Sequence, residues 1–155
     1  MTYRVILLAA FVLATSCATT MDLKEPVTSE GLETKLRDLG RVQRISSDRV
    51  DLVHEDSGGP RPEDVAAINE RNVKAKEWMP VQVGASGFGA RERVLQISIN
   101  DDGRELELKR EVRSCFESGQ GLSGIPVGGG CVDSETTQAD VEWFESAEAA
   151  IRARL

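Results

Sequence analysis

The 155-residue chain holds one histidine, His54, and three cysteines, Cys17, Cys115 and Cys131. Imidazole is the side chain that trades protons near neutral pH, so any Ser-His-Asp or Cys-His catalytic set must run through His54. In the run "RVDLVHED", His54 alternates with Val50 and Leu52, which in a strand places it on their face as a half-buried strand-end residue. Glu55 and Asp56 follow it, but successive strand residues point to opposite faces, so the three make no ligand cluster. The serines offer no elbow. "GASGFG" and "GLSG" both place glycine one residue too early for G-x-S-x-G. "SINDDG" resembles the start of a calcium loop, but its twelfth position is Lys109, where a bidentate glutamate is required. Glu105 and Glu107 alternate with Leu106 and Leu108 and read as solvated sheet surface. No catalytic residue, metal ligand set or cofactor motif is therefore assigned, although carboxylates distant in sequence can still meet in the fold.

The cysteines carry more information. The chain opens "MTYRVILLAAFVLATSC": Arg4, nine unbroken apolar residues from Val5 to Leu13, then Ala14, Thr15, Ser16 and Cys17. A spanning helix needs roughly 20 apolar residues, so this run is too short to cross a bilayer. Its length suits the core of a signal peptide, about 7–15 residues followed by small ones. These residues resemble the lipobox of bacterial lipoprotein signal peptides. Leu13 stands one position before the place where leucine is usual, which Ala14 fills, and the cation count ahead of the core is low. The resemblance implies that Cys17 receives a diacylglyceryl group, that residues 1–16 are removed, and that the new amino terminus is acylated. Several acyl chains, each CH₂ contributing about 0.8 kcal/mol when buried, would hold the protein on its leaflet essentially permanently. Ala18 follows the cysteine, where aspartate would signal inner-membrane retention, so the outer membrane is favoured if the cell has one. The competing readings are an ordinary secretory leader cut near Ser16 or Ala18, and a retained apolar helix.

Export would place Cys115 and Cys131 in an oxidising compartment, where an even pair reads as a disulfide. Between them lies "FESGQGLSGIPVGGG", a glycine-rich segment carrying Phe116, Leu122, Ile125 and Val127. Two readings stand for it: a partner-binding loop displaying those four side chains, or a long hairpin with no such role.

The elements that must position these residues are legible from period and punctuation. Residues 18–28, with Pro26 and no helical spacing, read as a flexible tether. Leu32, Leu36 and Leu39 predict a helix capped by Ser29 and stopped at Gly40. Two short strands follow, broken at Ser46-Ser47-Asp48. A second helix starts at Pro62 with Glu63 and Asp64 at its positive end, and carries Val65, Ile68, Ala75 and Met79 on one face before Pro80. A hairpin is predicted over about 93–113. Asp102-Gly103 suits its turn, placing Ile99 opposite Leu106 and Ile97 opposite Leu108. The last helix begins at a capping box of Thr137 and Asp140 and buries Val141, Phe144, Ile151 and Leu155. Trp78 and Trp143 fall on predicted helices as packing residues.

The expected architecture is a small α+β domain over residues 29–155: an antiparallel sheet, helices on one face and one disulfide. Residues 1–16 form the leader, and 17–28 the lipidated cysteine and tether. Lys and Arg total 19 against 26 Asp and Glu, a formal charge of −7, and loss of Arg4 with the leader deepens it. Such a chain is a poor nucleic-acid binder, because phosphate contacts need clustered cations. The expected partners are the membrane, through Cys17, and a protein of the cell envelope. The expected role is a non-enzymatic binding or structural module. An acidic inhibitor or immunity-type protein comes next, and an envelope hydrolase last.

Overall fold

The computed structural model describes residues 18–56, 58–75, 89–116 and 130–155, with side chains left out at 69, 71–75 and 101. Its described elements are, in chain order, β1 (Thr19–Asp22), α1 (Ser29–Leu36), β2 (Arg41–Arg44), β3 (Arg49–Asp56), α2 (Pro62–Ala75), β4 (Gly89–Asn100), β5 (Glu105–Phe116), β6 (Gly130–Asp133) and α3 (Gln138–Arg154). The strands form one antiparallel sheet in the order β1-β5-β4-β3-β2, with β6 also pairing with β5. The described residues thus form an α+β domain with three α-helices, the class that the patterning predicts.

The central hairpin is longer than expected, reaching from Gly89 to Phe116, and its register is the one its alternation demands. Ile97 faces Leu108 and Ile99 faces Leu106. Asp102 and Gly103 both take positive φ, 50° and 91°. A Cβ at Gly103 would stand 2.4 Å from the Val27 carbonyl oxygen, and the Gly103 carbonyl itself accepts from Val27 N at 2.9 Å. Gly103→Ala therefore meets backbone on one side and a disfavoured φ on the other. A loss of at least about 1 kcal/mol is expected, read as a lowered midpoint in urea unfolding.

One face of the sheet carries the core. Val50, Leu52, Leu95, Ile97, Leu106 and Leu108 are fully buried there against Leu32 and Leu36 of α1 and Phe144 and Ile151 of α3. Helical spacing of Leu32 and Leu36 puts both on one side of α1, and burying two leucines contributes about 3–6 kcal/mol. The α1 cap is Thr28 rather than Ser29: its Oγ1 accepts from Gly31 N at 3.2 Å, while Ser29 is buried. At the far ends of α1 and α3, Arg154 pairs with Asp38 and donates to the Lys35 carbonyl at 2.9 Å. The other face is polar around Val53 and Val94. Arg49 pairs with Asp51, Glu92 takes both Arg41 and Arg113, and Gln96 donates to Glu111.

The tether expected over residues 18–28 requires correction. Residues 19–22 form β1, with Thr19 opposite Leu108 and Met21 opposite Leu106. Met21 is buried, Leu23 and Val27 pack on the core, and Leu23 N donates to the Arg104 carbonyl at 2.8 Å. The folded domain thus takes in residues 19–28 as well as those from Ser29 onward. A strand that buries a single side chain shows no period of its own, and its partner lies far along the chain, so no local pattern announces it.

Candidate functional site

Alternation places Arg91 and Arg93 of β4 in phase with Leu95 and Ile97, on the core face of the sheet. Asp56 of β3 continues the phase of Val50 and Leu52, and Ser114 of β5 that of Leu108 and Val112. The sheet's apolar face thus turns polar at one end, where it meets the first turns of α2 and α3.

Asp140, at the third position of α3, is fully buried there. Its Oδ1 accepts from Arg91 Nη1 at 2.9 Å and Arg93 Nε at 2.6 Å. Its Oδ2 accepts from Arg91 Nη2 at 2.6 Å and from the Thr137 amide and hydroxyl, each at 2.7 Å. The guanidinium of Arg91, 3% exposed, also donates to Asp56 Oδ2 at 3.0 Å, Ser134 Oγ at 3.2 Å and the Glu135 carbonyl at 2.9 Å. Ser134 and Ser114 donate in turn to Asp64 Oδ2 of α2, at 2.8 and 2.6 Å.

Burial works to raise the Asp140 carboxyl. The hydrogen bonds from Arg91, Thr137 and Arg93 outweigh it and hold the group far below the ordinary carboxylate range. Asp64 follows the same logic: desolvation pushes it up, and the two serine hydroxyls bring it down. The bond to Asp140 raises Arg91 above its ordinary value. These charges stay on at neutral pH, and their hydrogen-bonding capacity is spent inside the fold. Among the described residues, no buried side-chain nitrogen or oxygen lacks a partner. A carboxylate accepting five hydrogen bonds has no lone pair left to act as a base. What the cluster does is join two helix starts to three strands.

His54 lies beside this cluster, half-buried, stacked on Trp143 of α3 with ring centroids 5.4 Å apart and planes 23° apart. Trp143 meets Phe144 edge-on at 5.1 Å. Both His54 and Trp143 occupy the packing positions their spacing predicts. Glu107 is exposed and Glu105 partly so, on the face away from the leucines. Among the described residues, no three of His, Cys, Asp and Glu come together as a metal site.

Cys115 and Cys131 are bonded, S–S 2.07 Å, at directly opposed positions of β5 and β6. Phe116 requires correction as a displayed loop residue. It ends β5 opposite Gly130 and is 7% exposed, because it continues the inward phase of Val112 and Ser114. Leu122, Ile125 and Val127 lie outside the described residues, as do Cys17, Trp78 and Met79.

Sequence reading missed the charged cluster. The signal was present in one place: Arg91 and Arg93 stand on the apolar phase that Leu95 and Ile97 set in β4, and Asp56 on the phase that Val50 and Leu52 set in β3. Comparison with known proteins finds no matching family, no matching characterised protein and no matching solved structure.

Proposed function

We propose that this chain is a lipid-anchored protein of the bacterial cell envelope, acylated at Cys17, whose α+β domain is a non-enzymatic binding or structural module. The observation that carries the proposal is the run from Val5 to Cys17, too short to span a bilayer and ending in a cysteine behind three small residues. The Cys115–Cys131 bond agrees with an oxidising compartment. The buried charges gathered around Arg91 and Asp140 are consumed in holding the fold, so that cluster offers no free general base. Against the inhibitor reading, the acids on the polar sheet face are interleaved with arginines: Asp51 with Arg49, Glu92 with Arg41 and Arg113. A protein that masks a basic active site needs a contiguous acidic patch instead.

Intact mass of membrane-extracted protein, with and without reduction, tests the reading. The expected species starts at Cys17, carries diacylglyceryl and amide-linked acyl mass, and gains the mass of two hydrogen atoms when a thiol reductant opens the Cys115–Cys131 bond. Retention of the leader, or release of an unmodified protein from cells, would overturn the anchored reading. Chemical crosslinking on intact cells, followed by purification through the native protein, is expected to recover one stoichiometric envelope partner. Recovery of none over repeated trials would remove the binding role.

A further inference from the structure

We propose that the cleft between the β1 edge and the end of α3 binds the ethanolamine-phosphate headgroup of a phospholipid in the leaflet that holds Cys17. The proposal rests on the anchored reading above. The cleft, of about 450 Å³, has the Thr20–Lys24 segment as one wall and Arg152 and Leu155 as the other. Lys24 and Arg152 are exposed, and neither has a hydrogen-bond or ion-pair partner among the described residues. Two unpaired cations flanking one cleft are suited to a phosphodiester.

The strand edge supplies the other half of the recognition. Thr19 and Met21 face Leu108 and Leu106 of β5, and Leu23 N extends the same ladder to the Arg104 carbonyl at 2.8 Å. In an antiparallel ladder the intervening residues direct their N–H and C=O groups outward. At Thr20 and Asp22 those groups therefore line the open edge, offering amides to phosphate oxygens and carbonyls to an ammonium. The exposed Asp22 carboxylate adds a charge for that ammonium. An acid, Asp22, on the wall of Lys24 and across the cleft from Arg152 favours a zwitterion bearing N–H donors over a purely anionic headgroup. It also favours that zwitterion over a quaternary ammonium, which donates no hydrogen bond.

Covalent geometry brings the ligand to the site. Cys17 precedes Thr20 by three residues, which span at most about 11 Å of extended chain. The headgroup layer of one leaflet is roughly 5–8 Å deep. With Ala18 alone between the acylated residue and β1, the edge of the sheet is held at that layer and not on a loose arm.

Hydrogen exchange on the acylated full protein tests this, after reconstitution into vesicles of phosphatidylcholine alone or mixed with phosphatidylethanolamine or phosphatidylglycerol. The expected result is exchange slowed at least about threefold over residues 20–24 with phosphatidylethanolamine only, and lost in the Lys24→Glu/Arg152→Glu double variant. Lys24→Arg should retain it. Equal exchange in all three vesicles, equal slowing with phosphatidylglycerol, or slowing that survives the double variant would each overturn the proposal. Slowing by micromolar glycerophosphoethanolamine without vesicles would overturn the membrane as the source. Intact mass before reconstitution separates the two claims. A chain without acyl mass removes the anchored reading, whereas an acylated chain without ethanolamine-dependent protection overturns the cleft alone.

Discussion

Asp140→Ala is expected to cost about 3–5 kcal/mol, the largest loss from any single substitution considered for this domain. Removing one partner of a buried ion pair leaves the other charge desolvated and uncompensated, and that penalty exceeds the net worth of the pair. Here the carboxylate is the principal partner of Arg91 and one of two for Arg93, and it also closes the cap of α3 on Thr137. The measurement is urea unfolding at pH 7, and a change below about 0.5 kcal/mol would sink the structural reading of the cluster.

The pH dependence has a definite sign. Asp140 is held below its ordinary value in the folded protein. Its stabilisation is therefore fully present above the unfolded carboxyl's pKa of about 3.9 and fades as pH falls through the folded value. Asp140→Asn has no such carboxyl to protonate. The stability gap between the native protein and Asp140→Asn should stay constant from pH 7 to about 5 and narrow below about 4. A gap that widens in acid would contradict the assignment.

Replacing Cys115 and Cys131 together by serine is expected to cost about 3 kcal/mol, from the loop-closure entropy regained by the unfolded chain. The bond joins positions 16 residues apart, directly opposed across β5 and β6. β6 is only four residues long, and Ser134, immediately after it, bonds to both the Val112 carbonyl and Asp64. Loss of the bond therefore loosens Ser134 within the charged cluster as well. The double cysteine variant and Asp140→Ala should be non-additive by at least about 0.5 kcal/mol, measured in a double-mutant cycle of urea midpoints. Strict additivity would mean that β6 and the cluster are independent.

Particular elements show how far local sequence reached. The hairpin turn was legible because Asp102-Gly103 satisfies a backbone demand that few dipeptides meet, and the leucines and isoleucines on either side agree on one register. The α3 start was legible because Thr137 and Asp140 are three residues apart and cap each other. The same Asp140 also shows where legibility stops. Its role as a cap is local and was read. Its burial between Arg91 and Arg93 depends on two strand residues nearly fifty positions away and was not. Phe116 was misplaced for the same reason, since its inward phase follows from the length of β5, and β5 runs beyond the last unambiguous alternation at Val112.

By itself the sequence determined the helices, the hairpin register and the pairing of the two later cysteines. Each of these is set by interactions between residues close in the chain, or by a count that admits one solution. Only the tertiary structure decided that residues 19–22 close the sheet, that β6 lies along β5, and that Arg91, Asp140, Asp56 and Asp64 meet under the helix starts. Strand pairing and buried charge pairing both draw their energy from groups far apart in sequence. A carboxylate reads the same in the chain whether water or an arginine will surround it.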